Sequence, residues 1–178
     1  MKVYKFGGAS VKDASGVRNL KDIVACAGDD LMIVISAMGK TTNALERVVA
    51  ALAQKDEATA DNEWLAVLDY HVHLAMELGL KPNEDIRFPM MPEYDHTCSY
   101  DQNYDQIVSQ GEILSTQIVA VYLLKSGIRT EWWNMPKLLR TDNTFREAQV
   151  DMQTAAQVIR AGWERPNRPS VVVTQGFI

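Results

Sequence analysis

The stretch "LMIVISAMGKTTN" (31–43) decides the fold. Its first six residues form an unbroken apolar run of strand length. A strand without polar alternation is covered on both faces, and sheets covered on both faces are mostly parallel. Parallel strands need long crossover connections, usually helical. The next segment, "TTNALERVVAALAQ" (41–54), reads as such a helix, with Thr41 or Thr42 as its N-cap.

Working outward, "KVYKF" (2–6) alternates and reads as a strand, and residues 16–28 read as a helix carrying Val17, Leu20, Val24 and Ala27 on one face. Residues 61–79 read as a helix with Leu65, Leu68, Val72 and Met76 along one stripe. The segment 81–103 holds three prolines and many acids, and is expected to have little regular structure at its centre. A long helix at about 104–126, a strand "IRTEWW" (128–133), a helix at 150–164 and a strand "SVVVTQ" (170–175) complete the chain. Strands separated by helices predict an α/β fold, with helices on both faces of a mostly parallel sheet.

The chain has 178 residues, 47% of them apolar, which suits one globular domain or a piece of a larger one. Net charge is −5 and no long Lys/Arg cluster occurs, so nothing points to nucleic acid or an anionic membrane. Cys26 and Cys98 sit among unlike neighbours and read as free thiols. The start "MKVYKFGG" lacks the apolar run of a signal peptide, and "IVAVYLL" (118–124) is too short to span a bilayer. The expected location is cytoplasmic.

Four segments carry possible chemistry. In "KFGGAS" (5–10), Lys5 ends a strand, and Gly7 and Gly8 let the backbone approach a phosphate closely; an ordinary turn with an exposed lysine is the plainer reading. In "VISAMGKTTN" (34–43), Gly-Lys-Thr suggests a P-loop, but the required earlier glycine is Val34, which excludes it. What remains is a strand end and a helix N-terminus bearing Ser36, Thr41 and Thr42, suited to an anion or to capping alone. In "VSQGEILST" (108–116), Val108, Glu112, Ser115 and Val119 share a helix face. A carboxylate on that face needs a partner, a ligand ammonium or a lysine, unless it snorkels to water. In "TQGFI" (174–178), a tight turn at Gly176 precedes Phe177, which either walls a pocket or plugs the core. His71 and His73 face apart on a helix, and "DHTC" (95–98) lacks a second ligand pair, so neither makes a convincing metal site. Trp132 and Trp133, adjacent on a strand, are expected on opposite faces.

The order of these blocks resembles the aspartate kinases. "KFGGAS" is similar to the family's Lys-Phe-Gly-Gly-Thr-Ser start, with Ala9 in place of Thr. "VISAMGKTTN", "SQGEILS" and "VVVTQGFI" are similar to its Ser-Ala-Met-Gly, Gly-Glu-x-x-Ser and Gly-Phe-Ile-Gly blocks, in the same order across residues 1–178. The resemblance implies an amino-acid-kinase αβα sandwich. It implies transfer of the ATP γ-phosphoryl group to the β-carboxylate of L-aspartate, with Mg²⁺, in lysine, threonine and methionine synthesis. It implies that Lys5 stabilises the transferring phosphoryl, that Gly7 and Gly8 contact it, that Ser36, Thr42 and Phe177 line the aspartate pocket, and that Glu112 binds the substrate ammonium. Lys5 and Glu112 are accordingly expected side by side in one pocket. The resemblance further implies that residues 1–178 are the aspartate side of a kinase domain, without the nucleotide half and the regulatory domains. Such a segment is expected to be inactive alone and homo-oligomeric in full-length form. The alternatives are another enzyme of the amino-acid kinase group and a non-catalytic module that binds an acidic metabolite.

Overall fold

The structure is a computed structural model and describes residues 1–28 and 30–177. Four strands, β1 (Lys2–Phe6), β2 (Leu31–Ile35), β3 (Thr130–Trp133) and β4 (Val171–Gln175), form one sheet in the order β1-β2-β4-β3. Every pairing is parallel. The described residues also form six α-helices: α1 (Ala14–Ala27), α2 (Thr41–Ala53), α3 (Glu57–Glu77), α4 (Tyr100–Lys125), α5 (Met135–Leu138) and α6 (Met152–Trp163). The α/β class and the parallel sheet are as predicted.

Strand order explains why helices lie on both faces. The steps β1 to β2 and β2 to β3 cross the sheet in one direction, whereas β3 to β4 steps back. With crossovers of one hand, a reversal of direction moves the helix to the other face. The main core accordingly joins Leu31, Ile33, Ile35, Val171 and Val173 to α1, α4 and the end of α3. The opposite face carries a smaller cluster of Met32, Trp133, Met135 and Val172 under α5 and α6. Trp132 packs on the first cluster and Trp133 in the second, so the two indoles do straddle the sheet. A third cluster, away from the strands, is formed by α2, α3 and α4.

Three predicted details differ. The apolar stripe of α3 is not Leu65–Leu68–Val72–Met76: Leu65 and Met76 are 60% and 58% exposed. Ala60, Trp64, Val67, His71, Leu74 and Ala75 are buried instead. The helix has two apolar stripes one residue apart, and packing on α2 selects the one that includes Trp64. The cap of α2 is Lys40, with no side-chain cap bond, while the Thr41 hydroxyl turns back to donate to the Met38 carbonyl at 2.7 Å. α4 begins at Tyr100, earlier than expected, because Ser99 caps it by accepting from the Gln102 amide.

α4 also has the length and mean hydropathy (1.4) of a membrane span, although its longest unbroken apolar run is short; 56% of that window is buried within the fold. The 81–103 segment is mostly irregular, and Phe88, Met91 and Tyr94 fasten it to the helical cluster. Cys26 and Cys98 are free thiols.

His71 is fully buried on α3. Its Nδ1 lies 2.7 Å from the Val67 carbonyl, which can only accept, so Nδ1 carries the proton. Nε2 then has a lone pair without a donor among the described residues. Burial lowers the pKa from 6.5 to about 4. The unfolded chain therefore takes up the proton first as pH falls, and stability is lost between pH 6.5 and about 4. At about 1.4 kcal/mol per pH unit of difference, the loss approaches ~3 kcal/mol. Urea unfolding from pH 7 to 4.5 is expected to show this slope in the wild type and to lack it in His71→Leu. Parallel pH profiles would remove His71 as the cause.

Candidate active site

Open parallel sheets bind ligands beyond the carboxyl ends of their strands. Here that edge is made by the residues following Phe6, Ile35, Trp133 and Gln175. The ladder between β1 and β2 extends one step past both strands, where the Ser36 amide donates to the Phe6 carbonyl at 3.1 Å. The Gly39 amide then donates to the Gly8 carbonyl at 3.0 Å. A Cβ at Gly8 would fall inside the van der Waals envelope of the Ala37 carbonyl oxygen, so glycine is what lets the two loops meet. Gly7 has no neighbour within 4 Å of its Cβ position and leaves open space at the loop surface.

α4 is drawn to the same edge by Gly111. A Cβ there would lie 3.0 Å from Thr41 Cγ2 and 3.1 Å from Ala37 Cβ. This close approach lets the Ser115 hydroxyl donate to the Ser36 carbonyl at 3.0 Å. At the next residue, the Thr116 hydroxyl donates to the Glu112 carbonyl at 2.7 Å. Its oxygen accepts from Gln175 Nε2 at 2.7 Å and from Trp132 Nε1 at 2.9 Å. Gln175 Oε1 in turn accepts the Met135 amide at 2.9 Å. This buried polar network ties α4, β3, β4 and α5 into one rigid edge.

Glu112 occupies the exposed end of that network. Its Oε2 accepts from the backbone amides of Gly176 at 2.8 Å and Phe177 at 2.7 Å. The partner required by a carboxylate on this face is thus, in this structure, the turn leaving β4. Charge-assisted bonds of this kind contribute about 1.5–3 kcal/mol when shielded and less in water. Glu112→Ala is expected to lower stability by ~1–3 kcal/mol and to speed amide exchange at Gly176 and Phe177. Glu112→Gln, which keeps an acceptor oxygen, should fall between. Unchanged exchange in Glu112→Ala would show that the turn holds itself.

Lys5 and Glu112 share this edge but not a face. Lys5 pairs with Val34, and the pleat puts both side chains opposite the Ile33–Ile35 face on which α4 packs. Glu112 reaches round the edge: the Cβ position of Gly176 lies 3.9 Å from its Oε2 and 3.1 Å from Val34 Cγ1. The Gly176 turn therefore lies between Val34, the ladder partner of Lys5, and Glu112. Lys5 is exposed and has no ion-pair partner among the described residues.

Ser36 is half-buried, Thr42 is exposed in the first turn of α2, and Phe177 packs against the α2–α3–α4 cluster. Ile178, which ends the Gly-Phe-Ile block, lies outside the described residues. Asp95 does not gather ligands for a metal; its carboxylate accepts from the Thr97 amide and hydroxyl and from the Cys98 thiol, which hold it below the usual carboxylate range. Among the described residues no group of three or more His, Cys, Asp or Glu is placed to hold a metal ion.

A cavity of about 260 Å³ opens beside the Gly176–Phe177 turn, and Asp105, Thr141, Arg146 and Glu147 share its lining. None of these four stood out in the sequence. Asp105 could have been found, since it lies seven positions before Glu112 and so on the same helix face. The loop residues carry no periodicity that would have exposed them.

Glycine loops in backbone contact at the carboxyl edge of an open parallel sheet define an α/β sandwich of the kind that takes a small ligand there. Residues 1–178 match the model of the amino acid kinase family along their whole length, and the chain belongs to that family. It is 28% identical over 184 residues to the lysine-sensitive aspartokinase 3 of Escherichia coli (strain K12), covering 99% of this chain and 40% of that protein. It is 27% identical to the chloroplastic aspartokinase 1 of Arabidopsis thaliana, covering 99% of this chain and 33% of that protein. The chain thus spans less than half the length of these relatives. The crystal structure of E. coli aspartokinase III in complex with aspartate and ADP superposes with a TM-score of 0.79 at 23% identity, over 99% of this chain and 40% of that one. Its complex with lysine and aspartate gives 0.78 at 22%. At that identity the likeness establishes the fold.

Proposed function

We propose that the protein carrying these residues is an aspartate kinase, which transfers the γ-phosphoryl group of ATP to the β-carboxylate of L-aspartate. The observation that carries the reading is the Gly176–Phe177 turn held by Glu112 at the edge where the Gly7–Gly8 loop also emerges. An acceptor pocket and a phosphate cradle are what phosphoryl transfer requires of a protein, because the chemistry asks mainly for positioning and charge stabilisation. The similarity to aspartokinases over nearly the whole chain supports the choice of substrate.

In this reading Gly7 and Gly8 present backbone amides to the transferring phosphoryl group. Lys5, whose flexible stem leaves the opposite face at the same edge, brings its ammonium over the developing charge. Ser36, Thr42 and Phe177 border the aspartate. Glu112 keeps the Phe177 turn in place through Oε2 and offers Oε1 to the substrate ammonium. Magnesium, brought in on the nucleotide in this reading, would neutralise phosphate charge. The product, aspartyl phosphate, belongs to lysine and threonine synthesis, and the enzyme is placed in the cytoplasm as a homo-oligomer. Residues 1–178 form its aspartate-side part.

The test is ADP release by the full-length protein with L-aspartate, L-glutamate and N-acetyl-L-glutamate as acceptors. Turnover on L-aspartate well above the other two is expected. Preference for a glutamate derivative would assign the chain to another branch of the family. Aspartate binding without ADP release would indicate a non-catalytic module.

A further inference from the structure

The segment after α5 folds back on itself. The Asp151 amide donates to the Arg140 carbonyl at 2.9 Å, the Asp142 amide donates to the Gln149 carbonyl at 3.0 Å, and Thr141 bridges Val150 in antiparallel fashion. The Asp142 carboxylate closes the turn by accepting from the Thr144 and Gln149 amides. The result is a small hairpin whose tip, Thr144–Glu147, lies against the start of α4.

Arg146 makes that contact in three ways. Its backbone amide donates to Asp105 Oδ2 at 2.7 Å. Its guanidinium lies 3.5 Å from Asp101 Oδ1 and stacks 4.2 Å from the centroid of the Tyr104 ring. The ring is itself fixed, because the Tyr104 hydroxyl donates to Glu46 on α2 at 2.7 Å. Arg146 adopts φ +66, a backbone conformation unfavourable to any side chain with a Cβ. A strained residue persists only where its surroundings hold it, and here the three contacts to α4 do so.

The docked hairpin forms one wall of the 260 Å³ cavity, and Gly176 and Phe177 contribute to its lining. At about 30 Å³ per water, the space equals roughly eight or nine waters, more than enough for a small amino acid. Asp105 Oδ1 is shut off from solvent without a donor among the described residues, which leaves an unused acceptor on a residue of that lining.

The geometry points to Arg146 as a latch: it pins the 140–151 hairpin to α4, so that the hairpin walls the cavity beside Phe177 and, through that side of the site, positions the amino-acid substrate. The inference rests on the aspartate-kinase reading for the identity of that substrate, but not for the latch itself. Arg146 acts through the hairpin and is a positioning residue.

The experiment compares full-length wild type with Arg146→Ala, Arg146→Gly and Arg146→Lys by amide hydrogen exchange over residues 140–151 without ligand, and by steady-state kinetics with L-aspartate. Glycine accepts the positive φ and keeps the amide bond to Asp105, so it separates loss of the guanidinium from backbone strain. Alanine and glycine are both expected to raise exchange across the hairpin about tenfold. Both should raise KM for aspartate about tenfold, with kcat within about threefold of wild type. Lysine, which keeps the charge without the planar stack, should recover part of each effect. Wild-type exchange in the alanine and glycine variants overturns the latch. Faster exchange with KM unchanged overturns the wall. A wild type that does not turn over aspartate overturns the functional reading instead, and the exchange comparison then decides the latch alone.

Discussion

Lys5→Ala in the full-length protein is expected to reduce kcat by about 10²–10³-fold, the cost typical of removing one preorganised charge stabiliser from a transition state. KM for aspartate should move by less than about threefold, because Lys5 lies on the sheet face opposite α4, whose Glu112 holds the turn of Phe177. Stability should stay within about 0.5 kcal/mol of wild type, since the side chain is exposed and makes no ion pair among the described residues. Rate measured against thermal midpoint separates a chemical role from a structural one. Equal losses in kcat and in aspartate affinity would place Lys5 in substrate binding rather than in phosphoryl transfer.

The second large effect belongs to Gly8. An added Cβ meets the carbonyl oxygen of Ala37, a backbone atom in the loop that begins α2. No flexible side chain can yield there, so one of the two loops must shift and the bond between the Gly39 amide and the Gly8 carbonyl must stretch. Overpacking of this kind costs about 1–3 kcal/mol. If this loop cradles phosphate as proposed, a displacement near 1 Å there costs about 10²-fold in rate. Gly8→Ala is therefore expected to fold with a lower denaturation midpoint and to lose about 100-fold or more in kcat/KM. Gly7→Ala, with open space at its Cβ position and an ordinary extended φ of −74°, should lose far less. Similar losses in both variants would mean that the contact with Ala37 is not what fixes the loop.

The two glycines illustrate the limit of sequence reading. Both were visible as a pair that could let backbone approach a ligand, yet only one of them is crowded, and the crowding atom is 29 positions away along the chain. Glu112 is similar. Its place on a helix face beside apolar residues required a partner, but the amides that satisfy it lie 64 and 65 positions later. The hairpin around Arg146 escaped notice because its docking relies on a backbone amide and a stacked guanidinium, and neither leaves a pattern in sequence.

Periodicity and strand length were enough for the four strands and the longer helices, and chain chirality fixed the face of each crossover helix once the strand order was set. An unbroken apolar run at 31–36 has few ways to be buried, so a parallel sheet with helical connections is implied locally. The apolar face of α3 could not be read in this way. Two stripes, one containing Leu65 and the other Trp64, satisfy the same spacing, and burial of Trp64 against α2 breaks the tie. Nor could the relation of Lys5 to Glu112, because strand pleat alone says that neighbours alternate, not which face a distant helix will cover. Local chemistry is written in neighbouring residues, whereas a site is made of residues brought together from far apart, and that choice belongs to the packing of the whole core.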